Sequence, residues 1–128
     1  IPVICVGELL EEREKDATEA VVNEQVKIAL EGISKEQAAT VVIAYEPVWA
    51  IGTGKVATPE IAEEVHGVIR RLIEELYDDS VSSVVPVLYG GSVKPDNIEG
   101  LYAKDNIDGV LVGGASLKPD SFLPVINV

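Results

Sequence analysis

The stretch Ala44–Lys55, AYEPVWAIGTGK, runs from an apolar segment into a loop that holds a carboxylate, two glycines and the chain's one tryptophan. Just ahead of the carboxylate, Thr40 to Tyr45 (TVVIAY) is apolar on both faces, the pattern of a strand buried in a parallel sheet. Glu46 therefore stands at the C-terminal end of a buried strand, where an ionised carboxylate is costly unless it has a task or a partner. Pro47 stiffens the exit, and Gly52-Thr53-Gly54 offers a hinge on the far side of a largely apolar loop. Such a loop can close over a ligand and exclude water. On this chemistry alone Glu46 is either a functional carboxylate under a lid or a strand-end glutamate that caps a helix or pairs with a lysine.

Working outward, three more units repeat the theme. Pro2–Val6 (PVICV) is a short apolar run, followed by a polar stretch from Glu8 to Leu30 in which Val22, Val26, Ala29 and Ile33 recur at helical spacing and Gly32 marks the stop. Behind the central loop, Thr58-Pro59-Glu60 opens a helix with an N-cap residue and a proline in the first turn, and Ile61, Val65, Val68 or Ile69, Leu72 and Leu76 supply its apolar stripe. Val84–Tyr89 (VVPVLY) reads as a third strand ended by Gly90-Gly91-Ser92, with a short helix over Pro95–Ala103 that turns Ile98 and Leu101 inward. Gly109–Val112 (GVLV) reads as a fourth, ended by Gly113-Gly114-Ala115, before a last helix or coil from Pro119 to Val128. Strands apolar on both faces, alternating with helices, predict a parallel sheet covered by helices. Both a doubly wound open sheet and part of a βα barrel fit, and in both the C-terminal strand ends carry function.

With 128 residues, 47% apolar and 25% charged, the chain has the composition of a globular domain with a real core. No apolar run approaches the roughly 20 residues of a membrane span, and no signal peptide is expected, so a cytosolic protein is the plain expectation. A single cysteine, Cys5, leaves no internal disulfide and no metal-ligand cluster, and it is expected to be a small core residue. The net charge of −12 argues against nucleic acid or an anionic membrane as partner. An anionic substrate would need a local positive site built from backbone N–H groups, a helix N-terminus or a lysine.

AYEPVWAIGTGK is similar, nearly letter for letter, to the signature of the triosephosphate isomerase family. CVGE (Cys5–Glu8) with the Glu11-Glu12-Arg13 that follows, YGGSVKPDN (Tyr89–Asn97) and DGVLVGGASLKP (Asp108–Pro119) resemble the same family. The resemblance covers nearly the whole chain and implies half of a TIM (βα)8 barrel, strands five to eight with their helices, as a single domain. It implies interconversion of dihydroxyacetone phosphate and D-glyceraldehyde 3-phosphate in glycolysis and gluconeogenesis, with no cofactor and no metal. Glu46 matches the base that moves a proton between neighbouring carbons through an enediolate. Gly52, Ser92, Gly113 and Gly114 match the phosphate ligands, and Val48–Lys55 matches a closing lid that includes Trp49. Ile51 with Leu111 would press apolar surface on the Glu46 carboxylate. Tyr89 resembles the residue whose hydroxyl latches the lid at the Ala57 N–H, and Glu8 and Tyr45 resemble partners that Trp49 exchanges. Otherwise His66 reads as structural and Lys55 and Lys94 as solvated loop charges.

The resemblance also implies residues that do not match any motif here: an Asn and a Lys after the barrel's first strand, a neutral His electrophile after the fourth, and a long loop that builds the family's dimer. Leu9 stands where the family more often has Thr or Ser. The chain by itself is therefore expected to lack activity and to need an N-terminal half barrel, the alternative being an inactive half barrel that binds phosphate weakly or assembles with itself. Four strands leave two free edges, Pro2–Val6 and Gly109–Val112, and an interior face expected to carry Ile4, Val42, Ile43, Val87, Leu88 and Leu111. A homo-oligomer through those edges is the expectation.

Overall fold

The computed structural model describes residues 1–128. In chain order the elements are β1 (Val3–Val6), α1 (Leu10–Glu14), α2 (Thr18–Ala29), α3 (Lys35–Ala38), β2 (Val42–Tyr45), α4 (Pro59–Leu76), α5 (Asp79–Ser82), β3 (Val87–Tyr89), α6 (Ile98–Tyr102), β4 (Gly109–Val110) and α7 (Pro119–Ile126). The four strands form one parallel sheet in the order β1-β2-β3-β4, with Val3 opposite Val42, Ile43 opposite Val87 and Leu88 opposite Gly109. Parallel neighbours in sequence order, each joined by helix, make four βα units of a half barrel.

The core lies on the helical side of the sheet. Val6, Ile43, Tyr45, Val87 and Tyr89 are buried there against Val22 and Val26 of α2 and Ala62, Val65, Ile69, Leu72 and Ile73 of α4. Ile4, Val110 and Val112 pack against the same cluster. Because strand side chains alternate, Val3, Cys5, Val42, Ala44, Leu88 and Leu111 fall on the opposite face. This corrects the expected interior face: Ile4, Ile43 and Val87 belong to the helix-covered core, and Val42, Leu88 and Leu111 are the members that face the other way. Cys5 is exposed rather than a core residue, since no helix covers that face.

The strands are shorter than the apolar runs. Val84 and Val85 both donate to the Val81 carbonyl and so continue the turn of α5, leaving Val84 exposed. Pro86 has no N–H but accepts from Ile43, and the Val87 N–H donates to the Asp108 carboxylate at 2.6 Å. The expected single helical stretch behind β1 is two helices, broken where Asp16 takes a left-handed φ of 56°. Asp tolerates that conformation better than most residues. Helix α4 begins as expected: the Thr58 hydroxyl accepts from the Ile61 N–H at 3.3 Å, and Pro59 opens the first turn. Its stripe ends on buried Ile73, while Leu76 projects into a surface groove beside Ile28 and Ile33. No helix is long and apolar enough to cross a membrane.

Candidate active site

The strand ends are shaped around Glu46. Its N–H donates to the Val6 carbonyl at 2.7 Å, so the backbone stays in sheet register one residue past β2. Glycines flank it because nothing larger fits. A Cβ on Gly7 would lie 1.8 Å from the Glu46 carbonyl oxygen, and one on Gly90 would lie 2.6 Å from Glu46 Cγ. The Glu46 side chain is half-buried, with the Cys5 thiol on the adjoining strand close by. Partial desolvation raises the Cys5 pKa, and the neighbouring Glu46 carboxylate raises it further.

Glu46 borders an open cleft of about 880 Å³. The same cleft is lined by Ile51 and Gly52 from the loop after β2, Ser92 after β3, and Leu111, Gly113 and Gly114 at the end of β4. Residues far apart in sequence thus meet at one sheet end, because parallel strands point their C-termini the same way. Gly113 and Gly114 open a single 3-10 turn, Gly114–Leu117, and a Cβ on either would meet nothing within 4 Å. Neither needs a positive φ. Packing within the chain therefore gives no reason for glycine at these two positions. Ile51 is 45% exposed and lines the same cleft as Glu46.

Trp49, Tyr89 and Ala57 lie outside the cleft lining, in the layer behind it. Trp49 sits in a 3-10 turn, Val48–Ala50, and donates from Nε1 to Glu8 Oε1 at 2.9 Å. Tyr45 donates its hydroxyl to the same oxygen at 3.0 Å, and Thr18 does so at 3.3 Å. Arg13 reaches that oxygen at 3.7 Å and places its guanidinium 5.8 Å from the Trp49 ring centre. Glu8 is completely buried, and its second oxygen has no partner. Burial first, and the Glu8 charge second, push the Tyr45 pKa well up, so its hydroxyl stays a donor. Beyond Trp49 the loop is stitched to itself: Thr53 donates its hydroxyl to the Trp49 carbonyl at 2.6 Å, between Gly52 and Gly54 at φ of 66° and 82°.

Tyr89 is buried with its hydroxyl unpaired. Burial raises its pKa to about 12, and the nearby Ala57 N–H offsets part of that rise without completing a hydrogen bond. A Cβ on Gly91 would lie 2.2 Å from that hydroxyl, so glycine there makes room for the ring. Sequence reasoning missed four contributors: Gly7 and Gly90, which clear space for Glu46, and Lys118 and Ser121, which line the cleft. Their signal was weak, since close approach and cleft lining arise only when the chain folds back. Lys94 is exposed as expected, yet it too borders the cleft. No three His, Cys, Asp or Glu side chains converge to hold a cation.

Comparison with known proteins gives this arrangement its place. The chain is 58% identical over 127 residues to the triosephosphate isomerase of Dictyoglomus turgidum, covering 99% of this chain and 51% of that protein. It is 57% identical over 126 residues to that of Ligilactobacillus salivarius and 56% identical over 127 residues to that of Lactococcus lactis subsp. lactis, in each case over 50% of the relative. It spans about half the length of the curated relatives it matches. The family profile described as triosephosphate isomerase matches residues 1–128, from end to end, and the chain belongs to the triosephosphate isomerase family.

Proposed function

We propose that this chain supplies the base, the lid and the phosphate site of an isomerase that interconverts dihydroxyacetone phosphate and D-glyceraldehyde 3-phosphate. In this reading Glu46 takes a proton from one carbon of the phosphorylated triose and returns it to the neighbouring carbon, through an enediolate. The Gly52 N–H, Ser92 and the N–H groups of Gly113 and Gly114 hold the phosphate, which gives an anion a local foothold on a protein of net charge −12. Trp49 and Ile51 ride on the lid, and Tyr89 latches it when its hydroxyl accepts from the Ala57 N–H as the lid closes. No cofactor or metal takes part, and the place of action is the cytoplasm.

The observation that carries this reading is the single cleft shared by Glu46, Gly52, Ser92, Gly113 and Gly114. Glycine at 113 and 114 supports it from a second side: the fold leaves open space beside both, as close approach of a ligand to the backbone requires. Residues 1–128 act as one domain in this reading, the C-terminal half of a barrel. The carbonyl-polarising groups that the family resemblance implies belong to an N-terminal half, so turnover requires that half. The deciding experiment is an assay with dihydroxyacetone phosphate on the chain alone and after mixing with an N-terminal half barrel of the family. The expected result is no measurable turnover alone and turnover on complementation. A complex that assembles but shows no turnover sinks the reading.

The face of the sheet away from the helices supports a second expectation. Val3 and Cys5 are exposed there, and both edge strands are open to pairing. The chain is expected to bury these edges in a homo-oligomer or against an N-terminal half. Sedimentation equilibrium at micromolar concentration tests this, and a compact, cooperatively folded monomer contradicts it.

A further inference from the structure

One buried histidine has no part in the reading above. His66 lies in the middle of α4, completely buried, with its ring edge-on to Tyr45 at a centroid distance of 5.9 Å and an interplanar angle of 86°. Its Nδ1 bonds the Asn106 carbonyl at 3.2 Å, while Nε2 has no partner. A carbonyl can only accept, so Nδ1 carries the proton and the free Nε2 lone pair faces the interior.

The groups around it hold that ring still. Asn106 is gripped by three residues one face of α4 presents at spacings of three and four. Glu63 accepts from its backbone N–H at 3.0 Å and from its side-chain Nδ2 at 2.7 Å, His66 meets its carbonyl, and Arg70 Nη2 reaches the same carbonyl at 3.4 Å. Arg70 also pairs with Asp108 and donates to the Ser82 carbonyl at 3.0 Å, which ties α4 to the chain ahead of β3 and β4. The charges facing the imidazole are therefore Glu63 and Arg70 from α4 and Asp108 from the entry to β4, with Tyr45 across from them on β2. Burial outweighs the two carboxylates and keeps the ring neutral, with its pKa pushed down to about 4.

We propose that His66 is a positioning residue for the lid: its ring fixes Tyr45, Tyr45 fixes Glu8, and Glu8 holds Trp49. The relay runs from His66 in the helix layer to Trp49 in the loop after β2, and Trp49 packs against the same helix-side core as Tyr45. The Tyr45 ring is fully buried, and its hydroxyl and Trp49 Nε1 share one oxygen of Glu8. A tilt of the Tyr45 ring moves its hydroxyl and changes what that oxygen can accept. His66 packs at right angles against that same ring. The catalytic consequence rests on the lid reading given above; the placement of Trp49 on Glu8 does not.

Trp49 is the only tryptophan, so its fluorescence reports this relay in the chain as it stands, without any turnover. The test compares emission maximum and acrylamide quenching of Trp49 in His66→Phe, His66→Leu, Tyr45→Phe and the double variants. His66→Phe keeps a ring edge against Tyr45 and should leave the Trp49 signal native. His66→Leu fills similar space without the edge contact and should shift Trp49 toward solvent, with a roughly two- to tenfold larger fraction released from Glu8, the size of coupling common between contacting residues. In the Tyr45→Phe background, where the hydroxyl is gone, His66→Leu should add nothing further. A His66→Leu variant that is folded by far-UV circular dichroism yet leaves Trp49 unchanged overturns the proposal. So does an effect of equal size in both Tyr45 backgrounds, or loss of the fold in both His66 variants, which would make His66 a general packing residue. Failure of the isomerase reading would appear in the triose phosphate assay and leave these spectra as they are.

Discussion

Two glutamates stand at the ends of adjacent strands, and their surroundings are opposite. Glu8, just past β1, is completely buried, and one of its oxygens collects Tyr45, Trp49, Thr18 and Arg13. Glu46, one residue past β2, makes no such set of bonds; glycines at 7 and 90 clear room around it and it borders the cleft. A carboxylate surrounded by donors is held and does structural work. One kept half-buried with space before it can face a ligand, as the role proposed for Glu46 requires. Exposure and hydrogen bonding, not residue type, separate the two roles.

The contrast breaks first at Glu8. Glu8→Ala leaves the buried Tyr45 hydroxyl and Trp49 N–H without their acceptor and opens a cavity, and should destabilise the chain by about 3 kcal/mol in urea unfolding. Glu46→Gln, by comparison, should change stability by no more than about 0.5 kcal/mol. Equal losses for the two would erase the distinction. In a barrel completed by an N-terminal half, the order reverses for catalysis. Glu46→Asp draws the carboxylate back by about 1 Å and should lower kcat on the order of 10²-fold, with KM little changed because the phosphate contacts are untouched. An unchanged kcat would mean the base lies elsewhere.

A smaller effect comes from pH and separates buried from half-buried titrating groups. The His66 pKa falls from 6.5 in an open chain to about 4 in the fold, so the unfolded chain binds a proton that the folded one refuses. Its contribution to stability is therefore complete above about pH 6.5 and is lost as pH falls toward 4, about 2 kcal/mol of it between pH 7 and pH 5. His66→Phe should flatten that part of the urea-midpoint profile; a profile that keeps its slope would assign the dependence to the carboxylates. The smallest change in stability is expected at Gly114. Its Cβ would meet nothing and it sits inside a 3-10 turn without a positive φ, so Gly114→Ala should move stability by less than about 0.5 kcal/mol. The same change should weaken binding of inorganic phosphate to the completed barrel, and unchanged affinity would remove Gly114 from the site.

What could be read from residues in order was what local chemistry governs. The run TVVIAY, the Thr58-Pro59 cap, the inward Ile98 and Leu101 and the glycine-rich strand ends each announce an element within a few residues, and the motif around Glu46 falls on residues that border a cleft. The parallel α/β character follows from strands apolar on both faces. Only the tertiary structure decided that Cys5 is exposed, that Ile43 and Val87 face the helices, and that Ile73 replaces Leu76 in the core. It also decided that Glu8 gathers four neighbours and that Gly90 clears space for Glu46. These are sums over contacts between distant residues. An alternating strand pattern leaves two faces equivalent until helices pack on one of them, and a carboxylate's role is open until its neighbours in space either bond it or leave it free.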